Sequence, residues 1–240
     1  MSFIKHAIIA AAGLGSRLGM GKPKCLMEIA GTPLIGHQLL LLKDVEDVRI
    51  VVGFEEAQVI QTVLEIRRDV VFVRNPSFRT TTTLDSYALG ARYLKEPALY
   101  LDADIFFERK SFAIFLQACA SQPKAFSPIV AVTKSKTYDA VYTKLDCNDQ
   151  ILAFSRDQTF PYEWANLVFA PANYFEGSSG AVFEHLNKSL PLNAYKVVSY
   201  EIDRPEELIT ARLFAENQLK KHALETVLLE KQNKLYCIDL

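Results

Sequence analysis

Apolar residues in the first hundred positions alternate between short continuous runs and longer stretches with helical spacing. Ala7–Ala11 is a continuous apolar run ending at glycines, as expected of a strand buried on both faces. Thr32 and Pro33 read as the N-cap and first position of a helix running to about Leu42. Val48–Val52 is a second buried strand, and Glu55–Arg68 places Val59, Ile60, Val63 and Leu64 on one helical face. Val70–Val73 is a third strand. A helix over Leu84–Leu94 aligns Leu84, Ala88, Ala91 and Leu94, and a fourth strand, Ala98–Leu101, ends in Asp102-Ala103-Asp104. Strands and helices alternating in this order imply a parallel, doubly wound sheet.

Past Ser121-Gln122-Pro123-Lys124 the pattern changes. Strand signals dominate: Ile129–Val132, Val141–Leu145, Gln150–Phe154, Asn166–Ala170 and Lys196–Tyr200. These short runs fit an antiparallel extension of the first sheet. A long helix from near Pro205, with Leu208, Ile209, Leu213 and Leu219 as its apolar positions, closes the core. The expectation is one α/β domain over residues 1–240, Rossmann-like and doubly wound, with a mixed, mainly parallel sheet and a strand-rich C-terminal half.

Composition supports a sizeable core, since half of the 240 residues are apolar. Lys+Arg (27) and Asp+Glu (28) nearly cancel, so no global field draws the protein to nucleic acid or an anionic membrane. A bound polyanion must be held locally. The apolar run near the N-terminus is too short to span a bilayer and lacks a basic leader, so a cytoplasmic protein without membrane insertion is expected. Cys25, Cys119, Cys147 and Cys237 are scattered and form neither a zinc pattern nor a disulfide framework.

The chemistry concentrates where the first strand ends, which is where open parallel sheets bind ligands. There the chain reads Ala10-Ala11-Ala12-Gly13-Leu14-Gly15-Ser16-Arg17-Leu18-Gly19-Met20-Gly21-Lys22-Pro23-Lys24. Gly13 and Gly15 let backbone N–H groups approach a phosphate without Cβ obstruction. Arg17 offers a forked donor to phosphate oxygens, and Lys24 a compact charge suited to an α-phosphate in transit. A P-loop is excluded because Pro23 follows Gly21-Lys22, and a dinucleotide fold is disfavoured by the displaced Gly19 and by Gly53 after the second strand. Asp102 and Asp104 lie on the same sheet edge, where Mg²⁺ arriving with a triphosphate would seek carboxylate oxygens. Alternation sends the two to opposite faces, so one alone reaches the metal directly; a turn cap is the competing reading. Asp203 precedes a helix with Pro205 near its start and reads equally as a helix cap.

The stretch from Ala7 to Leu39, with Asp102-Ala103-Asp104 and Tyr200-Glu201-Ile202-Asp203, resembles the sugar-nucleotidyltransferase superfamily. It is most similar to the phosphocholine and inositol-phosphate cytidylyltransferase branch, and the resemblance extends to about Leu213. It implies an Mg²⁺-dependent enzyme that joins a nucleoside triphosphate, CTP first, to a small phosphorylated acceptor, releases pyrophosphate, and serves cell-surface polysaccharide or lipid precursor synthesis. It further implies that Ala10, Ala11, Ala12 and Gly13 touch the base, that Arg17 and Lys24 stabilise phosphates during transfer, and that Asp104 and Asp203 hold the metal, with Asp102 in support. Residues 1–120 would bind the triphosphate and 121–240 the acceptor.

Asn75–Ser86 carries four threonines ahead of a helix, whose hydroxyls suit a base edge or ribose as well as a helix N-terminus. The phosphocholine-type relatives have two asparagines where Thr82 and Thr83 align, and keep the serine at Ser86. Tyr162 and Trp164, the sole Trp, could cage a quaternary ammonium of the acceptor or pack in the core. Lys134, Lys136 and Lys144 read as acceptor-phosphate contacts or a solvated face, and the four histidines show no metal spacing. The apolar end, Leu235–Leu240, reads as an edge strand or as a contact in a homo-oligomer. Rival readings are a catalytically silent nucleotide-binding subunit of the same fold and a Rossmann-type oxidoreductase.

Overall fold

The computed structural model describes residues 4–15, 21–122, 127–137 and 139–218. Its first half runs β1 (His6–Ala11), β2 (Glu28–Ile29), β3 (Thr32–Pro33), α1 (Leu34–Leu41), β4 (Asp47–Val52), α2 (Glu56–Ile66), β5 (Val70–Arg74), α3 (Thr83–Gly90) and β6 (Ala98–Asp102). It continues with β7 (Ile105–Phe107), α4 (Arg109–Ala120), β8 (Ile129–Lys134), β9 (Tyr142–Leu145) and β10 (Gln150–Ser155). The last elements are β11 (Tyr162–Ala170), α5 (Val182–Asn187), β12 (Leu192–Lys196), β13 (Ser199–Glu201) and a helix over 205–218, here α6.

Nine strands form one sheet in the order β5-β4-β1-β6-β11-β8-β12-β10-β9. The first four are parallel. Alternation along β1 explains how both faces are covered. Ala7, Ile9 and Ala11 pack with Ile35 and Leu39 of α1, Val59 and Val63 of α2, and Phe112 and Phe115 of α4. Ile8 points the other way, into a cluster with Leu84 and Tyr87 of α3 and Val182 and Leu186 of α5. Helices therefore lie on both faces of a mixed α/β sheet. Gly90 ends α3 against this surface, where a Cβ would meet Ile8 Cγ2 at 2.5 Å and Val51 Cγ2 at 2.9 Å. No described helix is long and apolar enough to cross a membrane.

The second half departs from the open extension expected of it. β11 does add antiparallel to β6, but β9 pairs with both β10 and β11, so strands β11, β8, β12, β10 and β9 close a five-stranded barrel. The single strand expected over Lys196–Tyr200 is two: β12 belongs to the barrel, and β13 leaves it to pair with β7. The Val197 N–H still donates to Val132 O, whereas Val198 O accepts from Glu108 N, so the chain changes partners between the two valines.

Other boundaries shift for local reasons. Thr32 pairs with Ile29 instead of capping α1, whose N-cap is Pro33. Leu64 of α2 is 40% exposed, leaving Val59 and Val63 as the buried stripe. The sequence pattern did not flag α4. In α6 the buried positions are Leu208, Ala211 and Ala215, while Ile209 and Leu213 face outward; small residues let the helix sit close to Met27, Ile29 and Phe106. Leu219 and Leu235–Leu240 lie outside the described residues.

Candidate active site

The register of the parallel strands assembles the site. Ala10 of β1 lies opposite Asp102 of β6, and Ala103 N donates to Ala10 O at 3.1 Å. Ala12 to Gly15 leave the sheet beside that pair. Gly15 has φ +63°, which favours glycine, and a Cβ there would lie 3.0 Å from Lys24 Cγ. Gly53, after β4, admits the loop from behind: its Cβ would be 2.7 Å from Phe78 Cβ and 3.0 Å from Ala12 Cβ. Past the loop, a single 3-10 turn over Lys24–Leu26 presents the Lys24 ammonium to the cleft. Arg17 lies outside the described residues.

Three acids converge on that ammonium. β13 pairs antiparallel with β7, setting Glu201 opposite Ile105, and Ile202 N donates to Asp104 O at 3.0 Å. Residues 201 and 203 thereby come alongside residue 104. Lys24 Nζ donates to Asp104 Oδ2 at 3.1 Å and also to Asp203 Oδ1. One ligand oxygen each of Asp104, Glu201 and Asp203 lies within 4.8 Å of the others. At the start of α6, Glu207 Oε2 accepts from both Asp203 N (2.7 Å) and Arg204 N (3.0 Å). Glu201 was missed by the sequence reading, although alternation along Tyr200-Glu201-Ile202-Asp203 puts residues 201 and 203 on one face.

The electrostatics follow from crowding acids in a partly buried place. Burial, followed by the charge of Asp104, pushes Asp102 up to about 8. Burial and then the charges of Asp104 and Asp203 raise Glu201 well above the carboxylate range. Burial works against the Lys24 charge, but Asp104 and Asp203 more than offset it and hold the ammonium above the ordinary lysine range. One ammonium faces three carboxylates, so a net negative, all-oxygen site remains. Such a donor set fits a hard divalent cation. Asp102 is held apart: Tyr87 Oη donates to its Oδ1 at 2.6 Å. Buried Gln38 fixes the turn between the two aspartates by donating to Asp102 O (2.7 Å) and Ile105 O (2.9 Å).

These groups line one cleft of about 540 Å³. Ala10, Ala11, Ala12, Gly13, Gly15, Lys24, Asp102, Asp104, Glu201 and Asp203 border it, as do Thr82, Thr83, Ser86 and Trp164. Thr82 also caps α3: its N–H donates to Asp85 Oδ2 at 2.7 Å, and its hydroxyl lies 3.0 Å from Gly180 O. Ser86 is buried beside Asn75, which holds Thr81 at 2.9 Å. Trp164 is 7% exposed and its indole N–H has no partner among the described residues.

Tyr162 does not border the cleft, and Lys196 Nζ lies 5.4 Å over its ring; of the expected pair only Trp164 lines it. Lys134 and Lys144 are exposed, and Lys136 lies over the Tyr200 ring with Thr133 and Lys134 as partners. Arg79 and Arg156, which the sequence reading did not single out, both border the cleft. His6 pairs with Asp47 and His37 with Ile29 O, away from it.

Comparison with known proteins points the same way. A family model described as MobA-like NTP transferase domain matches residues 7–166. A stretch of 127 residues, 50% of this chain, is 33% identical to CMP-5'-(3-aminopropyl)phosphonate synthase of Streptomyces rubellomurinus, but spans 20% of that protein's length. A second relative, 2-C-methyl-D-erythritol 4-phosphate cytidylyltransferase of Parasynechococcus marenigrum, is 28% identical over 171 residues, covering 65% of this chain and 71% of its own. The fold matches that of CTP:phosphocholine cytidylyltransferase from Streptococcus pneumoniae with a TM-score of 0.69 and 18% identity, over 89% of this chain and 99% of the other.

Proposed function

We propose that this chain, which belongs to the MobA-like NTP transferase domain family, is an Mg²⁺-dependent nucleotidyltransferase that couples a nucleoside triphosphate to a small phosphate or phosphonate acceptor. CTP is the favoured nucleotide, on the CMP and cytidylyl groups in the names of the two relatives described above. The observation that carries the reading is the meeting of Lys24 with Asp104 and Asp203, with Glu201 beside them, at the mouth of the glycine loop. On this reading residues 1–120 hold the triphosphate and the barrel half holds the acceptor.

The reaction is an in-line displacement. An acceptor oxygen forms a bond to the α-phosphorus while the bond from that phosphorus to pyrophosphate breaks. No protein base is required, because a phosphate monoester with a second pKa of about 6 is already largely ionised at neutral pH. Asp104, Glu201 and Asp203 would hold Mg²⁺, whose Lewis acidity would polarise the reacting phosphate oxygens. Lys24, held at the same edge by Asp104 and Asp203, supplies the charge that would offset the negative charge of the transition state at the α-phosphate. The backbone of Gly13 and Gly15 cradles the triphosphate. Arg17 grips its oxygens, and Thr82, Thr83 and Ser86 face the nucleoside. Trp164 forms part of the acceptor wall.

Pyrophosphate release measured against CTP, UTP, dTTP, GTP and ATP, with Mg²⁺ and a panel of phosphate and phosphonate acceptors, tests the proposal. Acceptor-dependent release with CTP ahead of the others is expected. No release with any pair would refute it.

A further inference from the structure

The charged groups around the cleft divide into those held by a partner and those left to a ligand. Asp104, Glu201 and Asp203 form the cation site around Lys24, and Asp102 accepts from Tyr87. Asp139 Oδ2 accepts from Arg204 at 2.5 Å. Glu163, 4% exposed behind the acceptor wall, accepts from Lys136 N (3.0 Å), Thr137 N (3.2 Å) and the Thr137 hydroxyl (3.0 Å), which fixes that wall. Each of these carboxylates is engaged.

The cations show the opposite. Arg79 lies 5.2 Å over the Phe78 ring and Arg156 5.4 Å over the Phe183 ring, all four bordering the cleft. Among the described residues neither guanidinium has a hydrogen bond or an ion pair. The two phenyl faces that could receive a quaternary ammonium are thus already covered by positive charge. Trp164 is nearly buried, and Tyr162 lies outside the cleft. Arg156 follows β10 directly, on the barrel half that the proposed function assigns to the acceptor.

We infer that the acceptor's non-reacting end carries no cation: the cleft takes a hydroxylated alkyl or sugar phosphate or phosphonate and discriminates against ammonium and trimethylammonium head groups, with Arg156 as a specificity-determining residue. The inference rests on the transferase reading above. Its physical basis is the repulsion between a cationic tail and a guanidinium at a partly solvated separation, with no uncommitted carboxylate among the described residues that border the cleft. A hydroxylated tail instead finds free N–H donors in Arg156.

The test compares phosphocholine with its uncharged carbon isostere, 3,3-dimethylbutyl phosphate, and with glycerol 3-phosphate, using the nucleotide that supports release best. Shape is equal in the first pair, so their kcat/KM ratio reads charge alone. The isostere should exceed phosphocholine by about tenfold or more, the order expected of one such like-charge encounter, and glycerol 3-phosphate should match or exceed the isostere. Arg156→Glu should reverse the ratio of the first pair. Phosphocholine used as well as or better than its isostere by the unaltered enzyme would overturn the inference while leaving the transferase reading intact. Absence of release with every acceptor would instead count against the transferase reading itself.

Discussion

Lys24 and Asp203, 179 residues apart in sequence, are joined by a direct hydrogen bond at the sheet's edge. That bond connects the end of the glycine loop to the strand that leaves the barrel. It also joins the cation proposed to act on the α-phosphate to an acid proposed to hold the metal. Replacing Lys24 by Ala should lower turnover by about 10²–10³-fold, the cost of losing one preorganised charge at a transition-state oxyanion. The thermal transition of the Mg²⁺-loaded protein should be little changed. A near-normal rate would remove Lys24 from the mechanism.

Glu201 is expected to share the cation with Asp104 and Asp203. Glu201→Gln preserves its shape and removes one anionic ligand. The Mg²⁺ concentration for half-maximal activity should rise about tenfold or more, in the range found when groups supporting a metal site are lost, and excess Mg²⁺ should restore much of the rate. Asp104→Ala should not be rescued. An unchanged Mg²⁺ requirement in Glu201→Gln would place that residue outside the metal site.

The raised carboxyls make a signed prediction about pH. Asp102 is pushed to about 8, first by burial and then by Asp104, against about 3.9 for an aspartate in the unfolded chain. Between roughly pH 4 and 8 the native state therefore retains a proton that the unfolded chain has released. Stability in the presence of chelator should fall as pH rises through that window. Mg²⁺ competes with the proton on Glu201, whose carboxyl is raised well above the carboxylate range by burial and then by Asp104 and Asp203, so the stabilisation it brings should grow from pH 6 to pH 8. Thermal unfolding with and without Mg²⁺ checks both, and an Mg²⁺ effect that shrinks with rising pH would contradict the assignment.

Packing of α3 against the sheet makes a prediction independent of chemistry. Gly90→Ala forces a methyl into space held by Ile8 and Val51, and should cost about 1–3 kcal/mol in urea unfolding. The metal requirement of the surviving enzyme should be unaltered.

Much of this was legible in the chain. Apolar runs gave β1, β4 and β6, because strands buried on both faces need no alternation, and also β5, which lies at the sheet's edge with Val71 exposed. The loop and the Asp102-Ala103-Asp104 step were placed correctly at adjacent strand ends, since parallel topology leaves them there. Barrel closure was not legible: it depends on β9 pairing with both β10 and β11, a long-range choice that no local pattern encodes. The outward face of α6 was misread because Ala211 and Ala215, small enough for close approach, carry the contact that larger Ile209 and Leu213 suggested. Glu201 was missed because its neighbour Asp203 fitted the resemblance alone. Tyr162 was assigned to the acceptor by proximity to Trp164, yet its ring is turned toward Lys196.

Asp104, Glu201 and Asp203 are proposed to hold a divalent cation together with the triphosphate, and Mn²⁺ binding, followed by its electron paramagnetic resonance signal, reports on that site. With CTP present, Mn²⁺ should bind tightly and be displaced by Mg²⁺, with affinity lost by about tenfold or more in Asp203→Asn. Equal Mn²⁺ binding by the unaltered protein and by Asp203→Asn would contradict it.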